Sequence, residues 1–206
     1  MVGTVRGMEH GGMGMTEATI MSTERLLLRP WRVGDMDDAR ALYRYASNPN
    51  VGPAAAWAVH TSVEDSLQVI RNVLSAPDTY AVVLRETGEP IGSIGLSPLS
   101  DAIDPDRREP ADEREIGYWI GEPYWGRGLI PEAGREMLRH GFEDLHLAAI
   151  WGRHDVDNAK SARVMDKLGL EPVRTARHVH LELLGDVYRD EIIRRVTAGQ
   201  WRGSGR

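Results

Sequence analysis

The residues most suited to binding a charged ligand lie in the turn Gly126-Arg127-Gly128. Glycine lets the backbone approach a ligand closely, and an arginine can reach a phosphate group. Residues 115–120 before the turn read as a strand, and Pro131 after it suits the first position of a helix. Because the first amides of a helix lack partners and attract anions, the pattern is typical of a pyrophosphate cradle. A tight turn without a ligand fits the local pattern equally well, since GxG alone is a weak signal.

Polar side chains near the end of the chain supply candidate acid–base groups. His178, His180 and Glu182 alternate with apolar residues, which predicts that they share one face of a strand. Histidine titrates near neutral pH, so His180 is the leading candidate for a general base. Glu182 and Glu115 are the alternatives, and bulk water is a further one. An exposed polar strand face explains the same alternation.

The composition limits the classes of protein that the chain can be. Its 206 residues suffice for one domain with its own core, and 41% hydrophobic with 27% charged residues is typical of a globular protein. The absence of cysteine excludes thiolate nucleophiles and favours a cytoplasmic protein. A net charge of −6 argues against nucleic acid as a partner and favours cationic substrates such as amines. No apolar run reaches the roughly 18 residues of a membrane span, so no membrane partner is expected.

The hydrophobic periodicity predicts an α/β (α+β) protein with a mixed sheet and helices on both faces. We predict seven strands, at 24–31, 80–85, 91–96, 115–120, 147–151, 173–183 and 187–196. Four helices are predicted at 35–46, from 61 or 62 to 74, at 131–144 and at 158–168. Asp35 and Gly169 are their expected caps, and Gly185-Asp186 predicts a two-residue hairpin. Residues 1–22 and 197–206 lack such periodicity, which predicts a flexible extension and a flexible tail around a domain at 23–196.

The order and spacing of four sequence blocks resemble the GNAT superfamily of acetyl-CoA-dependent N-acyltransferases. The blocks lie at 23–29, 90–95, 117–133 and 158–170, and the resemblance extends over 23–196. It is strongest to the branch of RimJ/RimL-type protein N-terminal acetyltransferases. The resemblance implies a GNAT fold, with a mostly antiparallel sheet of about seven strands.

The resemblance also implies which residues would bind acetyl-CoA and its acceptor. The cofactor residues would be Tyr118, Trp119, Ile120, Gly126, Arg127, Gly128, Leu129, Asn158 and Ser161. The strand residues among them would bond the pantetheine arm through their backbone, and the turn would hold the pyrophosphate. Asn158 would contact the pantetheine, and Ser161 would protonate the departing thiolate. Trp57 and His60 lie between the first two helices, which line the acceptor site in this family, although simple loop packing explains them equally well.

Three positions depart from the family pattern. The turn begins with Trp125 where the superfamily has Gln or Arg, and Pro131 removes one amide from the cradle. Met165 stands where many members carry a tyrosine that protonates the thiolate. A methionine cannot donate a proton, so the acid falls to Ser161, which has the spacing of the serine in the RimL-like pattern.

The function implied by the resemblance is acetyl transfer from acetyl-CoA to a primary amine, by direct attack on the thioester and without a metal. The acceptor is either a protein N-terminus or a small-molecule amine. Two alternatives are transfer of another acyl group, such as succinyl, and a non-catalytic CoA-binding module on the same fold. A homodimer is left open as the assembly.

Overall fold

The sheet is mixed and mostly antiparallel, as the sequence predicts. The computed structural model describes residues 19–106, 108 and 110–203. The strands are β1 (Met21–Ser22), β2 (Leu26–Pro30), β3 (Thr79–Leu84), β4 (Glu89–Ser97), β5 (Glu113–Ile120), β6 (Ala149–Asp155), β7 (Glu171–His180) and β8 (Tyr188–Thr197). They form one sheet in the order β1-β2-β3-β4-β5-β6-β8-β7. Only the β5–β6 pair within the described sheet is parallel.

Helices cover both faces of the sheet and close a separate core on each. The α-helices are α1 (Met36–Ala46), α2 (Val63–Val69), α3 (Leu129–Arg139), α4 (Ala159–Leu168) and α5 (Ala198–Gly203), and α2 and α3 continue into wider turns at Ile70–Leu74 and His140–Asp144. Leu42 of α1 packs with Val83 on one face, while Met137 of α3 and Leu168 of α4 pack with Val82 on the other. Val82 and Val83 are neighbours in β3, and because successive side chains of a strand point to opposite faces, each lies in a different core. None of these described helices is long and apolar enough to cross a membrane.

The folded part of the chain extends further at both ends than the sequence predicts. Met21 is buried, and β1 pairs with Leu27 and Leu28. At the other end Trp201 is buried in α5, with its ring 5.9 Å from that of Phe142. The predicted flexible tail at 197–206 is therefore wrong over α5, because one large aromatic anchors a segment too short for a periodic pattern. Residues 1–18 and 204–206 lie outside the described residues.

Two local predictions at turns also need correction. Helix α3 begins at Leu129, two residues before the predicted start at Pro131. The hairpin is longer than the predicted pair Gly185-Asp186, because the last paired residues are His180 and Tyr188 and a short helical turn fills part of the connection. By contrast, Asp35 caps α1 as predicted, with its carboxylate accepting from two backbone amides of the first turn.

The parallel strands β5 and β6 separate after a short contact. Their pairing joins Glu113–Glu115 to Ala149–Trp151, whereas β5 continues to Ile120 beside β4 and β6 continues beside β8. A wedge therefore opens between the ends of the two strands. The N-termini of α3 and α4 follow these strands in the chain, so both helix starts lie at the wedge.

Candidate active site

A cavity of about 1120 Å³ occupies the wedge. It is lined by the end of β5, the starts of α3 and α4, and the segment between α1 and α2 around Ala54. Tyr118, Trp119, Ile120, Gly126, Gly128, Leu129, Asn158 and Ser161 all line it. The structure thus brings together eight of the nine predicted cofactor residues, Arg127 being the exception.

The turn before α3 has the geometry of an anion cradle. Gly126 and Gly128 have φ angles of 73° and 75°, in the left-handed region that favours glycine. No side chain among the described residues caps α3, so the first amides of the helix face the cavity without a side-chain partner. A Cβ atom built on Gly126 would meet nothing within 4 Å, which leaves open space beside the turn. An anionic group such as a pyrophosphate fits these features.

Three cations of α4 line the same cavity, and sequence reasoning missed them. They are Lys160, Arg163 and Lys167, and their spacing of three and four residues places them on one side of the helix. The ammonium of Lys160 lies 3.5 Å from the ring centroid of Trp125. Their spacing was readable from the sequence, and the three side chains supply positive charge for a ligand with several phosphates.

The side chain of Arg127 does not line the cavity. Its guanidinium lies 5.4 Å from the ring centroid of Tyr124, and its backbone carbonyl accepts a hydrogen bond from Arg25. The predicted phosphate contact of this side chain therefore has no support in its placement. The backbone of the turn, rather than its arginine, forms the cradle.

Ser161 and Tyr118 form a hydrogen-bonded pair inside the cavity. Their hydroxyl oxygens are 2.7 Å apart. Burial raises the pKa of Tyr118 to about 12, although the Ser161 hydrogen bond and the charge of Arg194 oppose it, so the phenol is protonated at neutral pH. Asn158 caps α4 with its side-chain oxygen 3.0 Å from the amide of Ser161, which fixes the serine in the first turn of the helix.

Met165 is part of the hydrophobic core. It is 1% exposed, and its methyl carbon lies 3.1 Å from a Cβ built on Gly152 of β6. The position where many family members carry a tyrosine therefore holds a packing residue here. Two phenols line this cavity, those of Tyr118 on β5 and of Tyr124 before α3, and the one that is hydrogen-bonded to Ser161 is Tyr118.

The carbonyl at the end of β5 already has a partner. The indole nitrogen of Trp125 donates to the carbonyl oxygen of Ile120 over 2.9 Å. A pantetheine arm along this edge would therefore use the polar backbone groups before Ile120. Trp125, which replaces the polar residue of the family pattern, fixes the start of the turn against the strand.

A second cavity of about 490 Å³ lies on the other side of β5, below α1 and α2. Trp57 and His60, for which the resemblance implies a place at the acceptor site, both line it, and the Trp57 ring lies 5.7 Å from that of Trp119, edge to face. Ala55, Tyr118 and Trp119 line both cavities. The two cavities therefore meet at β5.

The predicted bases on β7 lie outside both cavities. The strand bulges between Ala176 and Val179, and His178 has a φ angle of 53°, so the assumed alternation breaks. Glu182 is in a helical turn after the strand rather than on its face. The ring of His180 is exposed, stacks on Tyr188, and has its Nε2 atom 2.9 Å from the carbonyl oxygen of Gly185. The predicted face is therefore wrong for Glu182, whereas His178 and His180 both stack on the ring of Tyr188, outside the cavities.

Glu115 is buried in a network away from both cavities. Its carboxylate accepts from Arg153 over 2.8 Å and from the backbone amide of Ser100 over 3.1 Å. Arg153 also binds Glu191. These bonds tie β5 to β6 and β8 just before the wedge opens, so the placement of Glu115 suits a structural role.

Comparisons with known proteins agree with this geometry. The acetyltransferase (GNAT) domain family matches residues 25–171. An uncharacterized N-acetyltransferase of Bacillus licheniformis, p20, is 28% identical over 184 residues, which cover 86% of this chain and 97% of that protein. A GNAT-family acetyltransferase structure from Bacillus anthracis superposes with a TM-score of 0.73 at 22% identity, covering 88% of this chain and 99% of the other. The microcin C7 self-immunity acetyltransferase MccE, solved with acetyl-CoA and AMP, gives 0.68 at 18% identity, covering 85% and 93%.

The family match covers more than half of the chain and spans both helix starts at the wedge. The mixed, mostly antiparallel sheet and the glycine turn before α3 agree with the fold that the resemblance implies. The chain therefore belongs to the GNAT family and is an acetyltransferase.

Proposed function

We propose that the protein transfers the acetyl group of acetyl-CoA, bound in the first cavity, to a primary amine bound in the second. The observation that carries this proposal is the meeting of the two cavities at Tyr118 and Trp119, where β5 leaves β6. A thioester at that junction would lie within reach of an amine that enters from the other side. Direct attack needs both reactants side by side in this way.

The first cavity suits CoA in three respects. The uncapped start of α3 and the open space beside Gly126 fit a pyrophosphate. Lys160, Arg163 and Lys167 suit the remaining phosphate. The unpaired edge of β5 beyond Glu115 offers polar backbone groups to the pantetheine amides, and a backbone amide near Ile120 would polarise the thioester carbonyl.

Ser161 is the proposed proton donor for the thiolate, and Tyr118 positions it. When the Tyr118 phenol donates to the serine oxygen, the hydroxyl hydrogen of Ser161 is free to point toward the sulfur. The buried phenol keeps its proton across the neutral range. This arrangement accounts for the absence of a tyrosine at Met165.

A coupled assay of free CoA tests the proposal. Acetyl-CoA with a panel of primary amines should release thiol only when an amine is present. Ser161→Ala should lower kcat about 100-fold, within the usual range for a positioned proton donor, and should leave the Kd for acetyl-CoA within about twofold. Faster thiol release from succinyl-CoA would assign a different acyl donor. Binding of acetyl-CoA without release by any amine would refute catalysis.

A further inference from the structure

The second cavity carries little charge. Among the described residues that line it, Asp65 is the one carboxylate, and no lysine or arginine lines it. The oxygen of Asp65 accepts from the backbone amide of Thr61 over 2.9 Å. The first cavity, in contrast, is lined by several cations and carboxylates. An acceptor with its own carboxylate or phosphate would therefore find no cation to pair with in the second cavity.

Exposed apolar side chains gather around this cavity. Val59, Val73 and Leu183 line it and are 37%, 57% and 70% exposed. Large exposed apolar residues that cluster at one mouth mark a binding surface more often than scattered ones do. Inside, Trp57 and Trp119 add two aromatic walls. Both the rim and the walls would be covered by an apolar ligand.

We infer that the acceptor is a primary amine on an uncharged apolar body, aromatic or aliphatic, with no second charged group. This inference rests on the proposed function. The apolar body would lie against Trp57 and the valine rim. The single carboxylate of Asp65 would attract the ammonium form as the amine enters. Such a ligand matches the apolar walls and the single carboxylate of the cavity.

Matched amines test the inference. Phenethylamine and phenylalanine differ by one carboxylate, and hexylamine and 1,6-diaminohexane differ by one ammonium. The value of kcat/KM should be at least tenfold higher for the first member of each pair. Equal or higher values for the charged members, or for a peptide with a free N-terminus, would overturn the inference and leave acetyl transfer intact. Release of CoA by none of these amines would instead refute the proposed function itself, and the inference with it.

A substitution at the mouth of the second cavity tests whether the acceptor binds there. Val73→Lys places a cation at the mouth, which repels the ammonium form of phenethylamine and interrupts the apolar rim, so it should lower kcat/KM for phenethylamine about tenfold without changing the Kd for acetyl-CoA. Val33→Lys is the matched control, because Val33 is 56% exposed and does not line either cavity. An equal loss in both variants would overturn the assignment of this cavity to the acceptor.

A separate observation concerns His60, the imidazole that lines this cavity. Its Nδ1 atom lies 2.8 Å from the hydroxyl of Ser66, which is fully buried. Its Nε2 atom has no hydrogen-bond partner among the residues that the structure describes. Burial lowers the pKa of His60 below its usual value of 6.5, although the charge of Asp65 opposes this shift. The ring is therefore neutral at pH 7, with Nε2 available to accept a proton when Nδ1–H donates to Ser66.

We propose that His60 is the general base of the reaction. Its Nε2 atom takes one proton from the ammonium of the acceptor, directly or through one water. The freed lone pair forms the C–N bond, and the C–S bond breaks with its electron pair on sulfur. The sulfur takes the hydroxyl proton of Ser161, and the surplus proton on the new amide nitrogen restores that hydroxyl. The proton on His60 then leaves to solvent, so one proton is released per turnover.

The pH profile of His60→Gln tests this role. Glutamine can keep a hydrogen bond to Ser66 but cannot take up a proton. We expect kcat/KM to fall about 100-fold at pH 7 and to recover as the pH rises toward the pKa of the free amine. An unchanged profile, or an equal loss at every pH, would refute the base. If this variant does not fold, Ser66→Ala replaces it: the acid limb of the profile should move to lower pH, and an unmoved limb would refute the proposal.

Discussion

A charge placed in the glycine turn tests the anion cradle directly. Gly126 and Gly88 have φ angles of 73° and 72°, and a Cβ on either would meet nothing within 4 Å. Aspartate is among the residues that best tolerate this backbone region. Gly126→Asp and Gly88→Asp should therefore cost a similar 1–2 kcal/mol of stability, as roughly expected for a left-handed non-glycine residue. Of these two glycines, Gly126 lines the first cavity and Gly88 does not.

The expected loss of affinity for acetyl-CoA follows from Coulomb's law. A new carboxylate at about 4 Å from each of two pyrophosphate charges costs about 1 kcal/mol per pair in water, and about 4 kcal/mol per pair near a protein surface. The lower value sums to about 2 kcal/mol, which weakens the Kd for acetyl-CoA about 30-fold. Gly88→Asp, in the turn between β3 and β4, should bind like the wild type.

Titration calorimetry with acetyl-CoA measures the difference. The defect of Gly126→Asp should shrink at about 1 M salt, where the screening length falls to about 3 Å. Melting temperatures without ligand should agree between the two variants, which separates folding from binding. Wild-type affinity in Gly126→Asp, or equal weakening in both variants, would show that the pyrophosphate does not lie at this turn.

Three further predictions concern the fold. Asp38→Asn leaves the buried guanidinium of Arg29 without its ion pair at 2.6 Å, and should lower the free energy of unfolding in urea by about 3–5 kcal/mol; a loss under 1 kcal/mol would contradict the pairing. Asp35→Ala should cost about 1 kcal/mol. Backbone hydrogen bonds lower the pKa of Asp35, so the charged cap stabilises the fold at pH values above the ordinary carboxyl pKa near 4. The difference in the free energy of unfolding between the variant and the wild type should therefore shrink as the pH falls below that value. Trp201→Ala should cost about 3 kcal/mol by thermal unfolding, whereas a flexible tail would lose nothing.

The sequence predicted the elements whose signal is periodic. The four long helices and the seven long strands follow from stripes of buried residues, and their faces follow from the same stripes. The glycine turn was predictable because left-handed backbone at Gly126 and Gly128 nearly requires glycine. Segments held by one side chain carried no such signal. Met21 and Trp201 each anchor a short element that periodicity cannot reveal.

The failures at the site have a common physical cause. The base on β7 was predicted from regular alternation, but a bulge places His178 in the left-handed backbone region. No glycine at this position indicates the bulge in the sequence. The pair of Tyr118 and Ser161 joins residues 43 positions apart, one on β5 and the other on α4. Local patterns contain neither the irregular turn nor the distant contact. The cations of α4 were readable, since their helical spacing is regular.

In the proposed reaction, the two faces of β5 separate the departing thiolate from the entering amine. Successive side chains of a strand point in opposite directions. Tyr118 accordingly reaches Ser161 on the side of α4, and the next residue, Trp119, meets Trp57 on the side of α1 and α2. A substitution at Tyr118 should therefore act on the departing thiolate, and one at Trp119 on the entering amine. Because Tyr118 and Trp119 are adjacent residues of one strand, a shift of β5 by a single residue would move each side chain position to the opposite face. The pairing of β5 with β4 from Glu115 to Ile120 fixes the register of the strand and therefore the face on which each residue lies.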